Sequence, residues 1–251
     1  MRTSFIGKKS SKARRAISEN TGIPLYRGGV LPDLFINYGL AGVNKQRFYK
    51  RYPKARKVPT VNKNAGIRKY AAVQRASKAG ILTPKSVLSL SKNERLPDWL
   101  EKKEHSIGGK GIKKATRRSH RAGWYYQEFI KNRAYELRVH AFSWMPTWVV
   151  QKRLGNAEQV AWNHANGGYF QTVHHMPKDT APYRAVEMSR VLLDVLGMSF
   201  GAADFIVDAA KNVYFIEINS APGFSGLSDS IYFEAFAQLK KTPKRKASEY
   251  V

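Results

Sequence analysis

The chain has 251 residues, of which 43% are hydrophobic and 12% aromatic, with no cysteine and a formal net charge of +26. This size and composition allow a buried core and exclude disordered and fibrous proteins, and the lack of cysteine excludes disulfide scaffolds, thiolate zinc sites and thiol nucleophiles. Because no apolar run is long enough for a bilayer and the basic N-terminus lacks the apolar part of a secretory signal, we expect a cytoplasmic protein that is not secreted.

The first half of the chain predicts a few separated elements. The first dozen residues are basic, and we expect a mobile arm there. The apolar run 34–36, closed by Asn37-Tyr38-Gly39, predicts a strand that enters a turn. The apolar spacing over 66–79 predicts a helix that ends at Gly80, and residues 99–115 predict two strands joined by a glycine loop.

The second half alternates between sheet and helix. Aromatic and β-branched residues predict strands, and one helical pattern is followed by Gly197. The predicted strands cover 125–130, 137–142, 148–151, 203–207 and 213–218, and the helix covers 185–196. This alternation predicts a fold of α/β or α+β layers, and residues 240–251 are expected to form a basic tail.

The positive charge is concentrated at the N-terminal end. Residues 1–69 hold 17 basic and 2 acidic residues, whereas residues 132–239 hold 8 basic and 10 acidic residues. A field of this sign attracts nucleic acid, acidic polypeptide or a nucleotide, although it can also serve solubility alone. The aromatic residues among the basic ones at 47–52 suit either stacking on single-stranded nucleic acid or packing in a core.

Acidic and amide side chains follow one another on two predicted strands. If these strands pair as a hairpin across 209–212, Asp204 lies beside Glu217 and Asn219. Strict alternation then places Phe215 on the side of Glu217, and Ile216 and Ile218 in the core. Three oxygen ligands suit magnesium, but strand-end carboxylates are also commonly solvated or salt-bridged.

Lysines and glycines offer a phosphate-binding pattern. Gly108-Gly109-Lys110-Gly111 follows Lys102 by six residues, and Lys69 begins the predicted helix. Backbone N–H groups of such a loop and a nearby ammonium group suit phosphate oxygens. A glycine-rich hairpin and a solvated helix lysine without any ligand are the alternatives. The histidines lack the spacing of a zinc site, so none is expected.

The order of six motifs carries a family resemblance. They are, in chain order, GIRKYAAVQRASKAGILTP, EKKEHSIGGKGI, YYQEFIKN, YELRVHAF, GMSFGAADFIVD and FIEINSAPGFSG. Over about residues 64–232 the chain resembles ATP-grasp carboxylate-amine ligases, and most of all the compact ATP-grasp proteins of bacteriophage genomes. The resemblance implies two α+β subdomains that clasp ATP, preceded by a small N-terminal α/β lobe.

The resemblance also implies roles for individual residues. Lys69 and Lys102, with Lys103 as an alternative to Lys102, match the phosphate-binding lysines, and the glycines match the loop that closes over the triphosphate. The other implied sites are the adenine hinge Gln127, Glu128, Phe129 and Ile130, the ribose ligand Glu136, the phosphoryl-stabilising Arg138 with Arg153 as helper, the acyl-phosphate segment with Asn163, Gly167 and Gly168, and the magnesium ligands Asp204, Glu217 and Asn219. Trp162 departs from the basic residue that many relatives carry before the asparagine.

The implied activity is the ATP- and Mg²⁺-dependent activation of a carboxylate as an acyl phosphate and its transfer to an amine, with release of ADP. We predict a basic N-terminal lobe at 1–65, a lid subdomain with the glycine loop at 66–130 and a magnesium-binding subdomain at 131–239. The charge favours an acidic or polymeric substrate, and a host-cell cytoplasm would follow from a phage origin. A nucleic-acid-binding or virion-associated protein on a non-catalytic scaffold, and a kinase-like member that stops at phosphorylation, are the alternatives.

Overall fold

A computed structural model gives the structure of the chain, and it describes residues 1–106, 111–146, 149–155, 160, 162, 168–223, 228–242 and 250. Among these residues, no helix combines the length and the apolar character that a membrane crossing requires. The described strands form three separate sheets. The arrangement mixes helices with parallel and antiparallel sheet, as the alternating sequence pattern predicts.

The first sheet is small and parallel. It contains strands β1 (Thr3–Gly7), β2 (Leu34–Tyr38) and β3 (Thr60–Val61) in that order, with helices α1 (Lys12–Thr21) and α2 (Gly42–Arg51) and a 3-10 helix (Pro53–Lys57) between them. The expected mobile arm is therefore wrong, because β1 pairs with β2 along its whole length and Phe5 is completely buried. Because this segment is strongly basic, the sequence pattern did not reveal the strand, whose apolar side chains lie in the core.

The second sheet is antiparallel. It contains β4 (Ser86–Val87), β5 (Trp99–Lys103), β6 (Ile112–Lys114) and β7 (Trp124–Glu128) in the order β4-β7-β5-β6, with a 3-10 helix at Leu96–Asp98. Helix α3 (Lys69–Lys78) precedes this sheet in the chain. It nevertheless packs its buried side Ala72, Val73 and Ala76 into the core of the third sheet.

The third sheet is also antiparallel and has the order β10-β9-β8-β11-β12. Its strands are β8 (Arg133–Phe142), β9 (Val149–Leu154), β10 (Tyr169–Thr172), β11 (Phe200–Asp208) and β12 (Val213–Asn219), and helix α4 (Ala181–Leu196) covers one face. Helix α4 ends at Gly197, as predicted, because this residue adopts the left-handed conformation with φ +59°. The predicted hairpin across 209–212 is confirmed.

A β-bulge in this hairpin changes the predicted faces of β12. Asp204 pairs with Glu217, but the next residue, Phe205, pairs with Phe215, so Ile216 is the extra residue. On the N-terminal side of the bulge, the side chains of β12 therefore face the opposite sides of the sheet from those predicted. Phe215 therefore lies in the core and Ile216 lines a cleft, which is the opposite of the prediction for both. Ile218 packs against the core, as predicted.

Helix α5 (Ser228–Lys241) returns the chain to the first sheet. Its buried side chains, among them Tyr232 and Phe236, share a core cluster with Phe5 of β1. Lys240 and Lys241 end this helix instead of beginning a tail, and Lys240 Nζ donates to the carbonyl of Thr21 at 2.8 Å. The three sheets fall within the predicted segments 1–65, 66–130 and 131–239, but α3 and α5 cross between them, so the lobe boundaries stay a prediction.

The burial of β1 leads to a stability prediction. Phe5→Ala removes a fully buried ring that makes edge contacts with Tyr38 and Phe236, so we expect the free energy of unfolding to fall by about 3–5 kcal/mol. The exposed Lys9, four residues further on, offers the control Lys9→Ala, which should change it by less than about 0.5 kcal/mol. Chemical denaturation measures both, and equal stability of the two variants would restore the mobile arm.

Candidate functional site

One cleft lies between the second and third sheets. Side chains from β5, β6 and β7 line one wall, and side chains from α3, β8, β9, β11 and β12 line the other. The cleft and its open mouth hold about 680 Å³ of space. It brings together, from segments far apart in sequence, Lys69, Lys102, the stretch Gln127 to Ile130, Glu136, Arg153, Asp204 and Glu217.

A polar row crosses three neighbouring strands at the floor of the cleft. Arg138 of β8, Asp204 of β11 and Glu217 of β12 are direct partners in the sheet register. Arg138 donates to both carboxylate oxygens of Asp204, at 2.6 Å from Nε and 2.7 Å from Nη2. Asn219 Nδ2 donates to Asp204 Oδ2 and to Glu217 Oε1, at 3.3 Å each. The structure thus brings the three predicted magnesium ligands together.

Asp204 is only 3% exposed, so its charge depends on its partners. Burial alone would raise the pKa of this carboxyl, but the Arg138 guanidinium, through its charge and hydrogen bonds, and then Arg153, hold the pKa below its usual range. The same pairing outweighs burial at Arg138 and raises the pKa of its guanidinium. Asp204 is therefore a carboxylate at neutral pH and Arg138 a permanent cation.

A second ionic cluster surrounds Glu136. Its carboxylate accepts from Arg133 Nη1 at 3.0 Å and from Arg153 Nη1 at 2.9 Å. Arg153 Nη2 also lies 3.8 Å from Asp204 Oδ1, which links the two clusters. Burial raises the pKa of Glu136, and the two arginines oppose this change. The predicted ribose contact of Glu136 stays a prediction, and its carboxylate already binds two arginines.

The two predicted phosphate lysines enter the cleft from different elements. Lys69 Nζ, at the start of α3, lies 2.7 Å from Glu217 Oε2. Lys102 of β5 is 4% exposed and donates to Gln127 Oε1 at 2.8 Å. Burial lowers the pKa of Lys102 to about 8, although Glu217 opposes this. Lys103, the alternative to Lys102, is exposed and does not line the cleft.

All four residues of the predicted adenine hinge line the cleft. Within this stretch, the Gln127 side chain holds Lys102 Nζ and donates to Ser86 Oγ at 3.1 Å. The backbone N–H groups of Glu128 and Phe129 donate to carbonyl oxygens of the protein at 2.8 Å each. A nucleobase at this hinge would therefore use other backbone groups than these two donors.

Some predicted residues lie outside the described part of the chain. These are Gly108, Gly109, Asn163 and Gly167. Gly111, at the end of the predicted loop, is described, and its carbonyl accepts from the Lys103 N–H at 2.9 Å. Gly168 is buried just before β10. The proposed lid and the acyl-phosphate segment therefore stay predictions.

The sequence interpretation missed Arg133 and Phe170, which lie in the cleft region. The Arg133 guanidinium lies 3.8 Å from the centre of the Trp162 ring, and the guanidinium groups of Arg138 and Arg153 lie 5.4 and 4.7 Å from that of Phe170. Arg133 thus supplies a cation beside Trp162, which occupies the place of a basic residue in many relatives. Arg133 and Glu136 share a face only because the β8–β11 register shifts beside Arg133. Sequence spacing gives no sign of this shift.

The histidines that the structure describes belong to no metal cluster. Among the described residues, no group of three or more His, Cys, Asp or Glu side chains is placed to hold a metal ion. His140 is fully buried on β8, with Nδ1 3.2 Å from the Tyr232 hydroxyl. A magnesium site here would depend on two carboxylates and the amide oxygen of Asn219.

Comparisons of sequence give short matches. No family model matches the chain. It is 51% identical over 39 residues to a D-alanine–D-alanine ligase of Burkholderia multivorans, and this match covers 15% of this chain and 12% of that enzyme. It is 38% identical over 66 residues to a D-alanine–D-alanine ligase of Burkholderia cenocepacia, and this match covers 25% of this chain and 21% of the relative. The matches therefore span less than a quarter of these relatives.

Comparisons of structure extend over nearly the whole chain. A D-alanine–D-alanine ligase from Bacillus anthracis superposes with a TM-score of 0.64 at 14% identity, covering 99% of both chains. The ATP-grasp ligase PsnB, complexed with a minimal precursor, gives a TM-score of 0.58 at 11% identity, covering 95% of this chain and 99% of PsnB. The Bacillus anthracis ligase is also known complexed with ATP, and PsnB with Mg and ADP. The chain therefore has the ATP-grasp fold.

Proposed function

We propose that the chain is an ATP-dependent carboxylate-amine ligase that releases ADP. The observation that carries this proposal is the meeting of Asp204, Glu217 and Asn219 with Lys69 and Lys102 in one cleft. These five groups come from α3, β5, β11 and β12, and the ATP-grasp fold supplies the two sheets that enclose them. The alternative for the acidic residues alone is that they are solvated or salt-bridged carboxylates at strand ends. That alternative gives no reason for two lysines from other segments to lie at the same place.

The ion pairs of the cleft support binding of a triphosphate. Lys69 pairs with Glu217, and Arg138 and Arg153 pair with carboxylates, so each cation is held in position without a ligand. A phosphate group offers the same cations charge-assisted hydrogen bonds of equal or greater strength. Binding then exchanges the carboxylate partners of these cations for phosphate, and bound magnesium would become the counter-ion of Asp204 and Glu217. We infer that Lys69, Lys102 and Arg138 contact the phosphates.

The donor set fits magnesium. Asp204 and Glu217 offer hard oxygen ligands, which magnesium prefers together with water and substrate phosphates. Asn219, whose Nδ2 donates to both carboxylates, would offer its amide oxygen once the amide turns over. When bound, the ion would neutralise charge on the phosphates and polarise the phosphorus–oxygen bonds. The pKa of Asp204, held low, keeps this ligand deprotonated at neutral pH.

In the proposed reaction, a substrate carboxylate oxygen attacks the γ-phosphorus of ATP, the bond to the β-phosphate oxygen breaks, and ADP leaves. An amine then attacks the acyl carbon, the bond to the phosphate oxygen breaks, and phosphate and a proton are released. Phosphoryl transfer asks the protein for positioning and for positive charge, which Arg138, Lys69 and Lys102 would supply. Arg153 is placed to assist Arg138, since both contact Asp204.

The substrate is the finer part of the proposal. We propose an acidic or polymeric substrate, because residues 1–69 carry 17 basic against 2 acidic residues and form the lobe beside the cleft. Release of ADP should require both a carboxylate and an amine, and mass spectrometry of the product should show the new amide. If the chain binds nucleic acid equally well with and without ATP, and releases no ADP with any substrate pair, the non-catalytic alternative is favoured.

Glu217→Gln tests the magnesium assignment. The change keeps the size of the side chain and removes one charged ligand, so we expect ATP turnover to fall by about a hundredfold or more while the chain stays folded. Arg138→Ala is a poorer test, because it would leave Asp204 buried without its partner and cost about 3–5 kcal/mol of stability.

The matched control is Glu234→Gln, the same chemical change at an exposed position of α5. ADP release at saturating magnesium and circular dichroism are measured for both variants. Turnover by the Glu217 variant equal to that of the control would remove Glu217 from the metal site.

The pKa of Lys102 predicts a pH dependence of ATP binding. Because this pKa is about 8, the side chain is a cation below that pH and becomes neutral above it, so ATP affinity should fall as pH rises through this value. Binding near this pH should take up a proton, since bound phosphate favours the ammonium form. Calorimetry in two buffers of different ionisation enthalpy measures the uptake.

Lys102→Arg provides the control, because a guanidinium keeps its charge over the whole range. This variant should lose the pH dependence near this value and the proton uptake, even if its affinity is lower throughout. An unchanged pH profile in the variant would assign the titration to another group.

A further inference from the structure

A second cavity lies in the N-terminal lobe, at the carboxyl ends of β1 and β2. It is formed by the loop after β1, the segment 25–27, the turn after β2 and helix α2. With its open mouth it holds about 1450 Å³ of space, about twice that of the cleft between the sheets. The proposed ligase chemistry makes no use of this cavity.

All the charged residues that line this cavity are cationic. Among its described lining residues none is acidic, and five are basic: Lys8, Lys9, Arg27, Arg47 and Arg51. All five are exposed, and none forms an ion pair with a carboxylate of the described residues. Unpaired like charges at one mouth repel one another and are stabilised by an anionic ligand. This contrasts with the cleft, where the arginines bind carboxylates.

A buried arginine beneath the rim adds to the positive charge. Arg14 of α1 is 6% exposed, its Nη2 donates to the carbonyl of Lys9 at 3.4 Å, and its Nε has no hydrogen-bond partner among the described residues. Burial, and then repulsion from Arg15 and Arg27, lowers the pKa of this guanidinium. A cation held in this way under the loop strengthens the positive field at the cavity mouth.

Two backbone contacts connect the wall of this cavity to segments that lead to the proposed reaction cleft. Leu40 lines the cavity, and its neighbour Gly39 lies so close to Ala221 that a Cβ on Gly39 would be 2.6 Å from the Ala221 Cβ. Ala221 is two residues beyond Asn219. On the other side of Leu40, Ala41 packs against Gly66, three residues before Lys69. The residues on either side of Leu40 thus contact two segments that lead to the cleft, one from the end of β12 and one to the start of α3.

We propose that this cavity binds an acidic segment of a polypeptide substrate and holds it beside the cleft, an inference that rests on the proposed ligase function. The five cations match the side chains of aspartate and glutamate, and the apolar floor made by Ile6, Leu25 and Leu40 accepts their methylene groups. Such a segment also carries the carboxylate that the ligase reaction consumes.

Single-stranded nucleic acid is the weaker match. The aromatic residues of the cavity, Tyr26, Phe48 and Tyr52, are half-buried and contact one another with ring centroids 5.2–6.2 Å apart. They belong to a core cluster around Phe35, so their faces are engaged in packing and serve poorly as stacking platforms. Unmodified nucleic acid also brings no carboxylate to the cleft.

Binding of a labelled oligoglutamate tests the proposal. The triple variant Arg27→Gln, Arg47→Gln, Arg51→Gln removes three rim charges, and Lys78→Gln, Lys92→Gln, Lys178→Gln removes three exposed charges elsewhere. Because both variants lose the same net charge, the general field falls equally. We expect fluorescence anisotropy to show at least about tenfold weaker binding in the rim variant and less than about threefold weakening in the control.

Two results would overturn the inference. Equal weakening of oligoglutamate binding in both variants would assign the binding to the general field of the protein. Tighter binding of an oligothymidylate of the same formal charge would assign the cavity to nucleic acid. ATP binding to the rim variant is measured in parallel and should be unchanged. If the unmodified protein binds the peptide but does not turn over ATP, the ligase proposal alone is contradicted. Turnover of small substrates without rim-dependent docking would contradict the cavity proposal alone.

Discussion

The paired charges of Arg138 and Asp204 set the main constraint on this structure. A buried carboxylate is tolerated only with a partner, and the two-bond contact at 2.6 and 2.7 Å provides one across the β8–β11 ladder. The register of the third sheet therefore cannot slip by a residue without turning Asp204 into the apolar core under α4. The pair fixes both the sheet and the floor of the cleft.

The same pairing prepares the cleft for a ligand. Lys69, Arg138 and Arg153 are each already held by a carboxylate, so less conformational freedom is lost when a ligand arrives. Lys102 differs from the others, because its described hydrogen-bond partner is the neutral Gln127 amide, and burial makes its ammonium form easier to lose. With a pKa of about 8, its charge responds to pH near this value.

Sequence patterns predicted the parts of the site that depend on local periodicity. The hairpin that places Asp204 beside Glu217 follows from alternating side chains and a turn, and Lys102 follows from its strand. The bulge at Ile216 and the register shift near Arg133 were not predictable, since an extra residue in a ladder is decided by packing. Strand β1 was missed because its pairing with β2 spans about thirty residues and its neighbours are basic.

The distribution of charge divides the molecule into two kinds of cationic site. In the cleft, arginines and Lys69 are neutralised by carboxylates that the fold brings from other strands, so a ligand must exchange partners there. At the N-terminal cavity, no described carboxylate faces the five rim cations, so a ligand adds the missing charge without competing for it. The first arrangement favours selectivity for a ligand of defined geometry, and the second favours fast capture of a flexible anion. Gly39, next to Leu40 of the cavity wall, contacts Ala221, two residues beyond Asn219, and in the proposed ligase this contact would connect the two sites.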